Sequence, residues 1–449
     1  MKFEEMELSG FGKYPKALCK VTRPNGLYEV LECLKTGSLI SRGLGRSYGD
    51  ASVNDAGIVA ESLIMNKFIS FDDSTGILRC EAGVTYKDIL DTFVSRGWFP
   101  AVTPGTKYVT MGGALASDVH GKNHHKEGSF SSYVVSFKIL IASGEILECS
   151  REQHADLFWA TVGGMGLTGF ILETEIKLKK ISSPYLVNKA VKLKNLDELF
   201  SNFEEHDADY LYSVAWMDIV ASGSKYGRNI LLLGNHSESA ELTDKLRKKA
   251  AEKYVEKKIS VPFEIPFTTL NKLSITLFNN AYYMKARSKT DFQHYDKYFY
   301  PLDFILNWNH IYSKSGLIQY QLNIPEEAGK DAVDKVLKKV VASGGGSFLA
   351  VLKKMGDQDG ILSFPFKGYT LSMDFPVKKG IIEMCKELDA IVLDHGGRTY
   401  LTKDSILDEK TFKQMYNGLW EKWMDIKVKY DPQNKFTSNL GRRIGLCPS

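Results

Sequence analysis

At 449 residues the chain can build two or three domains with sizeable cores, and 43% hydrophobic with 25% charged residues is ordinary for a soluble globular protein. A formal charge of +4 is too small at this length for a nucleic-acid binder, and no run approaches the ~18 apolar residues of a membrane-spanning helix. Met1-Lys2-Phe3-Glu4-Glu5 lacks a signal-peptide core, and six scattered cysteines without a C-x-x-C pair point to reduced thiols, not to a disulfide frame or a zinc site.

Leu27, Val30, Leu31 and Leu34 recur at helical spacing, with Asn25 as the expected N-cap. A short strand over Ser38 to Ile40 then feeds the loop Ser41-Arg42-Gly43-Leu44-Gly45-Arg46-Ser47-Tyr48-Gly49-Asp50-Ala51. Its glycines allow tight turns and close backbone approach. Successive N–H groups in such a turn form a nest for phosphate oxygens, and Arg42 and Arg46 add positive charge. Short strands are expected over Ile58 to Leu63, Ile69 to Phe71 and Ile77 to Cys80, and a helix over Tyr86 to Val94.

A second stretch of small residues follows, from Gly105 through Thr110, Met111, Gly112, Gly113, Ser117, Asp118, Val119 and His120. Three of the nine histidines, His120, His124 and His125, fall here, without the carboxylate or cysteine spacing of a metal site, so no metal is expected. Val134 to Ile141 and Ile146 to Cys149 read as a hairpin about Gly144. Gly164-Met165-Gly166-Leu167-Thr168-Gly169 fits G-x-G-x-x-G, but Phe170 to Leu178 alternates as a strand where a dinucleotide fingerprint needs a helix. Composition shifts at Ser182-Ser183-Pro184, which is taken as a domain boundary. Beyond it, Gln319, Gln321 and Asn323 alternate with apolar residues as one polar face of a strand. Thr243 to Lys258 reads as a solvated helix or a mobile segment, and the tail as a helix over about Asp408 to Val428.

Taken together, RGLGRSYGD at Arg42 to Asp50, TPGT at Thr103 to Thr106, GGALASDVHGKNHH at Gly112 to His125 and LFWATVGGMGLTG at Leu157 to Gly169 resemble the decaprenylphosphoryl-ribose 2-prime-oxidase family of vanillyl-alcohol-oxidase type flavoproteins. Trp216 in SVAW, YPLD at Tyr300 to Asp303, QYQ at Gln319 to Gln321, DFP at Asp374 to Pro376 and TKDS at Thr402 to Ser405 extend the match across almost the whole chain. The resemblance implies an α+β fold: a two-subdomain FAD-binding domain of this type (1–183), an inserted α+β substrate domain on an antiparallel sheet (184–397), and a C-terminal return (398–449). It also implies that Ser41 to Ala51 wraps the FAD pyrophosphate, with Gly105, Thr110 to Gly113, Ser117 to His120, Ile171 and Tyr400 completing the flavin site.

Where many relatives carry a flavin-linking histidine this chain has Arg46, so the expected FAD is non-covalent. Lys403 is the expected catalytic residue, with Tyr48 and Gln321; Gln321, Lys353, Ser372, Lys403 and Trp216 match the substrate side. Ser372 replaces a cysteine found in mycobacterial relatives. The reaction implied is oxidation of the 2-hydroxyl of a polyprenyl-phospho-ribose, completed to a 2-epimerisation by a separate keto-sugar reductase. An aldonolactone- or alditol-type oxidase, or a flavin-binding partner subunit without turnover, are the alternatives. The expected location is cytoplasmic, either free or peripheral at the inner face of the cell membrane. Leu273 to Lys289, which mixes Leu277, Phe278, Tyr282 and Met284 with Lys272, Lys285 and Arg287, is the expected membrane contact, or else ordinary core of the substrate domain.

Overall fold

The computed structural model describes residues 2–447 apart from 56, 253, 267–269 and 347. Two small sheets carry the first part of the chain. In a four-stranded sheet, Glu4–Ser9 pairs Lys16–Thr22, which runs parallel to Ile58–Glu61, itself parallel to Leu39–Arg42. A second sheet orders Phe68–Asp72, Ile77–Glu81, Phe170–Lys180, Val134–Leu140 and Ile146–Cys149, with Trp98–Pro100 on the far end of the long strand. The expected hairpin forms, with Phe137 opposite Cys149 and Gly144 turning at φ 87°. The G-x-G-x-x-G run leads into the 11-residue strand Phe170–Lys180, as its alternation required.

The middle of the chain builds an eight-stranded antiparallel sheet, closed at one edge by Arg398–Thr399 pairing with Leu317–Pro325. Period-2 alternation gives this sheet two different faces. Ile318, Tyr320, Leu322, Ile324, Leu371, Met373 and Phe375 share one apolar core with Val333, Val336 and Leu337 of helix Gly329–Ser343 and Leu388 and Val392 of helix Ile381–Asp394. The opposite face carries a polar ladder, in which Gln319, Gln321 and Asn323 stand opposite Asp374, Ser372 and Thr370. This arrangement is the α+β architecture expected from the sequence.

Three local expectations are corrected. The first helix is Leu27–Thr36 with Gly26 at its N-cap; the backbone N–H of Asn25 donates to Glu29 instead. The helix expected over about Asp408 to Val428 is two, Glu409–Met415 and Leu419–Tyr430, because Gly418 turns left-handed at φ 72°. The Lys-rich segment is helical only over Asp244–Ala251, which buries no residue. All six cysteines are buried thiols outside any disulfide. Among the described residues no helix is long and apolar enough to cross a membrane.

Candidate active site

Two small-residue loops meet back to back. A side chain at Gly43 would lie 2.3 Å from Thr110 Oγ1, so only glycine lets the loops touch. Thr110 in turn caps helix Met111–Ala116, accepting from the Gly113 N–H at 3.3 Å. Gly45 sits at φ 61°, which gives the first loop its left-handed turn. The C-terminal return is stitched to the same loops. The Tyr48 N–H donates to the Thr402 carbonyl at 2.9 Å, and a Cβ at Gly49 would strike the Asp404 carbonyl at 1.9 Å. Tyr400 reaches both ways, its hydroxyl donating to the Ser117 carbonyl at 2.7 Å and its N–H to the Gln321 carbonyl at 2.9 Å. Lys403 thereby lies with its ammonium 4.1 Å from the Tyr48 ring centroid.

Between these loops and the polar ladder runs a cavity of about 1170 Å³. From the first loop Ser41, Gly43, Leu44, Gly45, Arg46, Ser47, Tyr48 and Ala51 line it; from the second, Gly105, Thr110, Gly112, Gly113, Ser117, Val119 and His120. Ile171, Tyr400, Lys403, Gln321, Lys353, Ser372 and Trp216 complete the expected set. Five expected residues do not line the cavity. Arg42 braces the loop from behind, donating to the Ser9 and Ser52 carbonyls at 2.8 and 3.2 Å. Asp50 pairs with Arg443 at 2.6 Å, Met111 is core, and Gly49 packs on Asp404. Asp118, fully buried, accepts from Ser129, Ser363 and the Ser131 N–H.

The three histidines also sort by geometry. His124 Nδ1 accepts from the Gly356 N–H at 3.0 Å, and His125 Nε2 lies 3.2 Å from the Tyr210 carbonyl, so both tie this loop to segments that flank the eight-stranded sheet. His120 alone lines the cavity, with Nε2 3.0 Å from Gln321 Nε2 and Nδ1 3.2 Å from Lys353 Nζ. Burial, helped by Lys353, holds its imidazole well below the usual range and hence neutral.

Four lysines line the cavity, Lys122, Lys297, Lys353 and Lys403, and Lys122 had no signal in the sequence beyond its place in the second motif. Burial pushes Lys122 and Lys353 down to about 7 each. Lys122 donates to the Tyr298 carbonyl and sits 4.2 Å from that ring's centroid. Burial also lowers Lys403, to about 8, but the Asp374 carboxylate works against the shift. Asp374 is itself fully buried, takes a 2.6 Å bond from Gln319, and is pushed up to about 7 by burial.

The site fits a flavin nucleotide. Two side-chain-poor loops give a trench for a long planar ligand, and the buried Arg46 Nε finds no acceptor in the protein although its guanidinium lines the cavity between the Phe11 and Tyr108 rings, at 5.1 and 5.3 Å. Comparison with known proteins agrees. A family model described as FAD binding domain matches residues 15–150, and one described as D-arabinono-1,4-lactone oxidase matches residues 356–444. The chain is thus an FAD-dependent oxidoreductase. The decaprenylphosphoryl-beta-D-ribose oxidase of Mycolicibacterium smegmatis is 35% identical over 412 residues, covering 91% of this chain and 89% of its own length. An uncharacterized protein in the mprA 5'region of Streptomyces coelicolor is 28% identical over 374 residues, 81% of this chain and 100% of that one. Cytokinin dehydrogenase 2 of Arabidopsis thaliana matches at 30% over 144 residues, 32% of this chain and 28% of its own. The chain belongs to the decaprenylphosphoryl-beta-D-ribose oxidase family.

Proposed function

We propose that the enzyme oxidises the 2-hydroxyl of a polyprenyl-phospho-ribose to the 2-keto sugar, and that a separate keto-sugar reductase completes a 2-epimerisation to the arabinose form. The observation that carries this reading is the change in character along the cavity. Its inner end is polar and lysine-lined, whereas Phe278, Tyr282, Phe304 and Leu306 at once line it and stand exposed at its mouth. A soluble sugar gains nothing from such a rim. A prenyl chain gains about 0.8 kcal/mol for each CH₂ it buries there. Trp216 supports the rim, its indole N–H donating to the Phe348 carbonyl at 2.9 Å while its ring packs on Tyr282.

Ser41, Gly43 to Ser47, Gly112, Gly113 and Ser117 would hold the FAD, which when bound supplies the hydride acceptor. Lys403, charged and over Tyr48, faces the alcohol oxygen, with Gln321, Lys353 and Ser372 around the sugar. The chain divides accordingly into 1–183 for the cofactor, 184–397 for the substrate, and 398–449 returning to the cofactor domain. Arg46 cannot form a flavin linkage, so acid-denatured protein should release intact FAD; flavin that stays with the precipitate contradicts this.

The arabinono-lactone oxidase match at 356–444 favours a second reading, a soluble aldonolactone or alditol. Anaerobic bleaching of the bound flavin separates the two. Polyprenyl-phospho-ribose should bleach it rapidly, and an aldonolactone or xylitol slowly; the reverse order would establish the second reading.

A further inference from the structure

We propose that Lys353 is the general base of the reaction: its neutral amine takes the proton of the hydroxyl being oxidised. The inference rests on the reading of the cavity as the site of a secondary alcohol. The hydrogen-bond chain behind Lys353 carries it. The Thr370 hydroxyl donates to the Leu322 carbonyl at 2.7 Å, so its oxygen is left to accept from Gln321 Nε2 at 3.1 Å. A flipped Gln321 would set its amide oxygen against an oxygen with no hydrogen to give. The amide nitrogen therefore also faces His120 Nε2 at 3.0 Å, and that nitrogen must accept. A neutral imidazole that accepts at Nε2 carries its hydrogen on Nδ1. This N–H points at Lys353 Nζ, 3.2 Å away. An ammonium has no lone pair for it; a neutral amine does.

Burial and the like charge of Lys403 bring Lys353 down to about 7, the range in which a base works at neutral pH. The other groups around it are otherwise engaged. His120 Nε2 is taken by Gln321, and Lys122 gives its hydrogen to the Tyr298 carbonyl. Tyr48 is held protonated by burial and by Asp374, and Asp374 favours the ammonium form of Lys403. His124, whose Nδ1 accepts from Gly356, stays neutral by burial. In the reaction the carbinol C–H pair leaves as hydride to the oxidised cofactor. The O–H proton passes to the lone pair of Lys353 Nζ, which turns from the His120 N–H to the hydroxyl when the sugar binds, and the O–H pair becomes the second bond of the ketone.

Two measurements on the FAD-loaded protein test this. Carbon NMR of isotope-labelled lysine, assigned by the signal lost in Lys353→Met, should show Lys353 titrating near pH 7; a midpoint in the ordinary lysine range overturns the proposal. This arm needs no substrate, so it is independent of the choice of sugar. In the second arm, flavin bleaching by polyprenyl-phospho-ribose should rise through about pH 7 in the native enzyme. Lys353→Met and the permanently charged Lys353→Arg should lose that rise and slow roughly 10²–10⁴-fold. Added methylamine should restore part of the rate in Lys353→Met. If either variant keeps its FAD and the native rate and profile, Lys353 is not the base.

Discussion

Lys353 and Lys403 line one cavity, yet their neighbours set them apart: a neutral histidine faces the first, and a buried carboxylate is the counter-charge of the second. Their titrations bracket the working range. In the proposed roles Lys353 must be neutral, so flavin reduction should rise through about 7, and Lys403 must be charged, so it should fall through about 8. Asp374→Asn removes the influence that raises Lys403, which moves the falling limb toward acid and narrows the bell. Lys403→Ala should keep FAD and slow bleaching roughly 10²–10⁴-fold. Stopped-flow bleaching across pH checks both; an unmoved limb in Asp374→Asn would detach Asp374 from Lys403. Lys403 was legible at the level of sequence because it stands inside a motif. Asp374's charge state was not, since it depends on a partner strand and a loop far along the chain that together exclude water.

Helix Lys272–Lys285 shows what an element adds to its residues. The sequence left it open between core and membrane contact, and the structure divides it by face. Ile275 and Asn279 are buried, and the Asn279 amide donates to Asp218 at 2.8 Å, while Arg228 donates to Asn280 at 2.8 Å. On the other side Leu273, Leu277 and Met284 stand 70, 62 and 76% exposed. We expect this face, rimmed by Lys272, Lys285 and Arg287, to dock on anionic lipid. The protein should float with anionic vesicles at low salt, and Lys285→Glu with Arg287→Glu should weaken flotation without changing flavin content. No flotation, with the lipid-linked sugar still oxidised efficiently, would end the idea. The elements themselves were mostly readable from periodicity. The exceptions have identifiable causes: Gly418 was passed over as a helix stop, and Asn25 was preferred as a cap to the adjoining Gly26.

Across the whole molecule, the site is closed by one buried ionic junction. Arg443 pairs with Asp50 at 2.6 Å and Asp404 at 2.8 Å, and donates to the Leu407 carbonyl at 2.7 Å, joining the first glycine loop to the tail. Nothing in the sequence linked residues nearly four hundred positions apart; Asp50 looked like a cofactor ligand because it ends the loop motif. Arg443→Met leaves two buried carboxylates facing each other, a loss of about 3–5 kcal/mol. A thermal melt should show the drop, together with weaker FAD retention; an unchanged melting temperature would mean the junction is not what holds the tail.

The same junction sets a schedule for biosynthesis. The ribosome makes the first glycine loop early, but Tyr400, Lys403 and Arg443, which close the cavity around it, emerge roughly 350 to 400 residues later. A nascent chain therefore carries the glycine loop without the segment that packs on it, and cofactor capture is expected to wait for that segment. A truncation after residue 390 would keep the residues of the glycine loop and the polar ladder but lose Tyr400, Lys403 and Arg443, and with them the expected oxidation chemistry.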